Sequence, residues 1–162
     1  MASVFKTLLQ NIQTNCEDTT TYTSLPSMTA HIMASFALLP RSTYYAVIVA
    51  ENSPAEGNLV TQVNQEVTVY LCHRLKKTPK GEYAVEDMLD KRLELREALN
   101  RPDPYGNGKP SASYTAMTGC KSVEVTGMPS PTVETEYYNG EEGAPTLVAP
   151  IELEYTMYVD RK

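Results

Sequence analysis

The side chains of this 162-residue chain best suited to chemistry are two histidines, three cysteines and several closely spaced glutamates. His73 directly follows Cys72, and successive side chains on a strand point to opposite faces. On a strand the two would therefore form neither a Cys–His dyad nor a shared metal site, and His31 stands alone. Cys16, Cys72 and Cys120 are widely separated and odd in number, with no CxxC, which suits neither a disulfide framework nor a zinc site. Gly106-Asn107-Gly108-Lys109 has part of a phosphate loop, but the Walker spacing wants a glycine where Asp103 stands and a Ser or Thr where Pro110 stands. A tight exposed turn explains these glycines better. GxSxG, HExxH and EF-hand motifs do not occur.

Carboxylates pair at Glu134 with Glu136, Glu141 with Glu142, and Glu152 with Glu154. On a strand the i,i+2 pairs share a face. Acid–base work would require one partner with a raised pKa. A solvated sheet face is the simpler reading, and Glu152 with Glu154 lining a wet acidic surface toward a partner or a lumen is a third. No catalytic, metal-ligating or cofactor-binding residue is assigned, and the expectation is a protein that is not an enzyme and carries no cofactor.

Charge narrows the partners. Twenty acidic and 14 basic residues give a net charge of −6. Proteins that hold nucleic acid by its phosphates carry a basic excess or a dense basic patch, and the densest run here is only Arg74, Lys76, Lys77 and Lys80. Specific DNA or RNA binding is not expected, whereas an acidic protein that lets DNA pass without holding it fits. Tyrosine is abundant, with 11 Tyr against two Phe and no Trp. Tyr105, Tyr114, Tyr137 and Tyr138 fall in or beside expected loops and turns, and with Lys109 they are the candidate interface residues. The N-terminus has no sustained apolar run, so no secretory signal is expected. Residues 19–40 lack charged side chains but hold eight Ser or Thr, so they do not read as a membrane span.

These groups must be placed by a framework that hydrophobic spacing outlines. Residues 4–12 read as an amphipathic helix through Val4, Phe5, Leu8, Leu9 and Ile12, with Ser3 as cap. Residues 27–39 suit a helix through Met28, Ile32, Phe36 and Leu39, or a strand. Residues 44–50 are an apolar, β-branched and aromatic run expected to be a buried strand, and a turn over 52–58 follows. Residues 62–74 alternate: Val63, Gln65, Val67, Val69 and Leu71 share one face, and Asn64, Glu66, Thr68, Tyr70 and Cys72 share the other, as in an antiparallel strand with one buried face. Residues 85–99 form the main helix, with Met88, Arg92, Leu95 and Leu99 in one stripe and Val85, Leu89 and Leu93 beside it. A long loop spans 101–119. Strands are expected at 121–126, at 132–138 with Asn139-Gly140 turning the chain, and at 147–160. In the last, Ile151, Leu153, Tyr155, Met157 and Val159 oppose Glu152, Glu154, Thr156, Tyr158 and Asp160. The fold class is α+β: a mixed or antiparallel sheet packed on one face by an N-terminal and a central helix, in one domain over 1–162.

This order resembles that of the tail terminator proteins of long-tailed bacteriophages: an N-terminal helix, an apolar strand after Pro40, an alternating strand over 63–71, the helix over 85–99, a variable loop, and a closing strand over 151–159. The likeness covers most of the chain and rests on order, length and texture, with no diagnostic motif. It implies a virion protein, made in the host cytoplasm, that forms a hexameric ring. Such a ring would cap the tail tube, meet the head-completion or connector protein, abut a sheath where one exists, and pass DNA through its channel. Another neck or tail-tube protein, a cellular α+β adaptor with a cleft lined by Tyr44, Tyr45 and Tyr70, and an enzyme using Glu152 and Glu154 are the alternatives.

Overall fold

A computed structural model describes residues 4–17, 28–39, 43–51, 60–75, 85–100, 120–135, 137–138, 141–142 and 145–160. Two helices pack on a mixed sheet of six strands, an α+β arrangement. The sheet contains β1 (Thr29–Met33), β2 (Tyr44–Glu51), β3 (Val60–Arg74), β4 (Cys120–Gly127), β5 (Thr132–Glu134) and β8 (Thr146–Asp160). Its order is β1-β2-β3-β8-β4, with β5 also paired to β8. β1 runs parallel to β2, and the other pairs are antiparallel. A separate two-stranded ribbon joins β6 (Tyr137–Tyr138) to β7 (Glu141–Glu142).

Helix α1 (Val4–Glu17) runs past the expected residue 12 to Glu17. Asn15 and Cys16 explain the extension: both are buried, and with Leu8 and Ile12 they keep the i, i+4, i+7, i+8 spacing of one helical face. Residues 29–33 form a strand, so the helical alternative for 27–39 is wrong. Paired beside β2, Ala30 enters the core, and Phe36, Leu38 and Leu39 turn back across the other sheet face. The expected strand over 132–138 is two short strands with different partners, β8 for one and β7 for the other.

α2 (Val85–Leu99) buries Met88, Arg92, Leu95 and Leu99 as the spacing predicts, and adds Ala98. Val85 and Leu93 beside that stripe are exposed. Glu86 and Asp87 in the first turn and Arg96 in the last oppose the helix dipole. The Tyr155 hydroxyl donates to the Leu99 carbonyl at 3.2 Å, closing one of the acceptors that a helix C-terminus leaves open.

Both helices lie on the face formed by Ala46, Ile48, Val67, Val69, Leu71, Ala149, Ile151, Leu153, Tyr155 and Met157. Each fully buried Val, Leu, Ile or Met side chain there contributes about 1.5–3 kcal/mol. Among the described residues the opposite face is covered only at one end, where Phe36, Leu38 and Leu39 pack over Tyr45, Val47, Val49, Tyr70, Cys72 and Val148. Alternation on β3 therefore gives the two faces correctly, but the second is not uniformly wet: Cys72 and Thr68 are buried, whereas Glu66 and Asn64 are exposed.

Pro150 sits inside β8, where a proline removes a ladder donor. It falls where β5 ends and β4 has not begun, so its missing N–H is accommodated at that break. The buried Arg92 spans the same break: its Nη1 donates to Pro129 O at 2.6 Å and to Pro150 O at 3.4 Å. Burial lowers the pKa of this guanidinium. No described helix is long and apolar enough to cross a membrane.

Candidate functional site

The part of the sheet that neither helix covers carries its acidic residues in register. Glu66 on β3 is the Cα partner of Glu154 on β8, and Glu154 is the partner of Glu124 on β4. Glu51 on β2 takes the next register position beside Glu66. Four strands thus place glutamates in one transverse row. Glu152 lies two residues from Glu154 on the same strand face, opposite Thr68 and Gly127.

Glu66 and Glu124 are exposed, and Glu152 and Glu154 are half-buried. A shallow cleft of about 190 Å³ between Glu66, Thr68, Thr126 and Glu152 opens on this face. Beside it, a Cβ on Gly127 would meet the end of the flexible Glu152 side chain. Alongside, Thr156 Oγ1 donates to Asn64 Oδ1 at 3.2 Å. Among the described residues no ion pair reaches these carboxylates, and the pair Lys91–Asp87 lies on α2. Like charges directly opposite on neighbouring strands are unfavourable in a sheet. No group of acidic, His or Cys residues among those described has the arrangement to hold a metal ion.

A second polar cluster joins the sheet to the start of α2. Tyr44 and His73 are cross-strand partners whose rings stack at 3.9 Å. The Tyr44 hydroxyl donates to Asp87 Oδ2 at 2.9 Å, and Lys91 Nζ donates to Asp87 Oδ1 at 2.8 Å. Lys91 also sits 5.7 Å from the centre of the Tyr44 ring. Burial first, and Asp87 second, push the Tyr44 hydroxyl well above its ordinary pKa. Burial lowers that of His73, against the pull of Asp87. A neutral tyrosine and a neutral histidine stacked under a helix make a clamp, with neither poised as a nucleophile.

His73 and Cys72 do point to opposite faces, His73 toward Tyr44 and Cys72 into the cluster with Tyr45. Burial raises the Cys72 thiol to about 12 and Cys16 higher still, so both stay protonated and unreactive at neutral pH. Tyr44 faces the helices, while Tyr45 and Tyr70 lie on the other side. The cleft that an adaptor would build from these three tyrosines does not form.

Of the predicted site residues, Glu152 and Glu154 stand together on the open face. Tyr137 and Tyr138 form β6 and pair with Glu142 and Glu141. Tyr105, Lys109 and Tyr114, with the loop over 101–119, lie outside the described residues, as do Glu136, Asn139 and Gly140. Glu134 is exposed on β5, away from the acidic row.

Spacing along the chain missed Glu66 and Glu124 as members of the site. Parity places each on the polar face of its own strand, but their alignment with Glu154 depends on strand register. The one signal available was a glutamate flanked by valines, Val123-Glu124-Val125, in a strand with a single apolar face. No protein-family model matches this chain, and no curated protein sequence matches it.

Proposed function

We propose that this chain is a virion structural protein of the tail–neck region of a long-tailed bacteriophage. In this reading it is a tail terminator: a homohexameric ring, made in the host cytoplasm, that caps the tail tube and joins it to the head connector. The observation that carries the reading is the row Glu66, Glu154 and Glu124, continued at Glu51, on the sheet face opposite α1 and α2. A DNA channel is served by a rigid wall that repels phosphates, because a basic wall would bind them and slow passage. Sheet strands fix the glutamate positions in register, and the unfavourable like-charge alignment has a use there.

A ring also needs two different contact patches on each subunit. β3 and β8 supply one candidate. Their pairing runs on to Val60 and Asp160, past the end of β2 opposite Glu66 and the start of β4 opposite Met157. A two-stranded ribbon is marginal in water by itself, and contact with a neighbouring subunit would support it. Tail tube, connector and any sheath would meet other surfaces, and the DNA would pass without specific binding.

Size-exclusion chromatography with light scattering tests the reading. A six-subunit mass is expected, either for the free chain or on binding polymerised tail tubes. A stable monomer that never binds tubes would overturn it. Genes for tail-tube and connector proteins beside this one would support it independently.

A further inference from the structure

We infer that Gln13 and Glu17 of α1 hold the outer edge of β1 closed against strand pairing with a second copy of this chain. Among the described residues β1 pairs with β2 on one side only, and an unpaired strand edge is a template for another chain. In a strand, successive residues direct their backbone N–H and C=O to alternate sides. Ala30 directs both away from β2, and both are taken by side chains of α1. Gln13 Nε2 donates to the Ala30 carbonyl at 2.8 Å, and the Ala30 N–H donates to Glu17 Oε1 at 2.9 Å. Gln13 and Glu17 are four residues apart, one above the other on the same helix face. Together they present one donor and one acceptor at the edge, as the backbone of an added strand would.

Alternation makes this contact decisive. β1 has five residues, so only Ala30 and Ile32 turn both backbone groups outward. With Ala30 taken, Ile32 alone is left for pairing, too little to seat a neighbouring strand. Ile32 is the position the guard leaves open, and its side chain is 41 % exposed beside an open groove formed with Gln13, His31, Met33 and Leu39. The occupant excluded is a second β1, whose Ala30 and Ile32 would offer the same two outward pairs. Neither the guard nor its test rests on the assembly proposed above. A monomer would need the same protection, and a ring would make its contacts elsewhere.

Two measurements test the inference. Amide exchange in the wild-type chain should be at least tenfold slower at Ala30 than at Ile32, since both N–H groups point outward and only one is capped. Equal exchange at the two sites would overturn the inference whatever any variant does. Sedimentation velocity then compares wild type with the double variant Gln13→Ala/Glu17→Ala, with far-UV circular dichroism to check folding. The double variant should form a species of twice the wild-type mass as concentration rises. Adding Ile32→Lys, which puts a charge on the freed edge, should return it to the wild-type mass. A folded double variant with unchanged sedimentation would refute the guard.

Discussion

Removing the middle charge of the acidic row should stabilise the protein, and salt should erase the gain. Glu154 is flanked directly by Glu66 and Glu124. Opposed Cβ atoms on neighbouring strands are about 5 Å apart, where two unit charges repel by about 0.8 kcal/mol in water. Two neighbours sum to about 1.6 kcal/mol in water, and the flexible glutamate ends splay, leaving about 1 kcal/mol for Glu154→Gln at low salt. The Debye length is about 10 Å at 0.1 M and about 3 Å at 1 M, so the gain should shrink to about 0.6 and then about 0.2 kcal/mol. For a chain of this size 1 kcal/mol moves Tm by about 2–4 °C. Thermal unfolding followed by circular dichroism at the three ionic strengths reads this out. Glu134→Gln, on β5 and outside the row, is the control and should move Tm little. A destabilised Glu154→Gln variant, or a gain that salt leaves unchanged, would refute the like-charge account of this face.

Other perturbations follow from the packing. Tyr155→Phe leaves the Leu99 carbonyl at the end of α2 without its buried donor, and urea unfolding should show a loss of about 1 kcal/mol. Arg92→Ala removes a charged donor to Pro129 and the apolar stem beneath α2, which should lower stability by about 2–3 kcal/mol and speed amide exchange across residues 128–135. His73 has a depressed pKa in the folded state because it is buried. Between its ordinary value near 6.5 and the lower folded value, the unfolded chain binds more protons. The stability from neutral His73 is therefore complete above about pH 6.5 and declines as pH falls through that window. Unfolding measured from pH 7.5 to 5 should show this slope in wild type and a shallower one in His73→Gln.

Much of the fold was legible because hydrophobic period and strand alternation report burial directly. The β8 faces, the α2 stripe from Met88 to Leu99 and the opposition of Cys72 to His73 all follow from local spacing. Residues 27–39 resisted, since Met28, Ile32 and Phe36 fit helical spacing while Ala30 and Ile32 also fit a strand beside β2, and only tertiary pairing separates the two. Pairing likewise divided 132–138 between β8 and β7. The candidate site was half legible. Glu152 and Glu154 show themselves by their i,i+2 spacing, but Glu66 and Glu124 come from segments far away in the chain, and cross-strand register has no local signature. Nor could spacing reveal that Gln13 and Glu17 meet Ala30, because that depends on how α1 lies against β1.

A cryo-electron microscopy reconstruction of the assembled chain tests the central claim most directly, because it reports both the ring and the direction of the acidic row. The account predicts six copies around a channel, with Glu66, Glu124, Glu152 and Glu154 facing the axis. A chain that stays monomeric, or a ring with this face turned outward or buried between subunits, would contradict it.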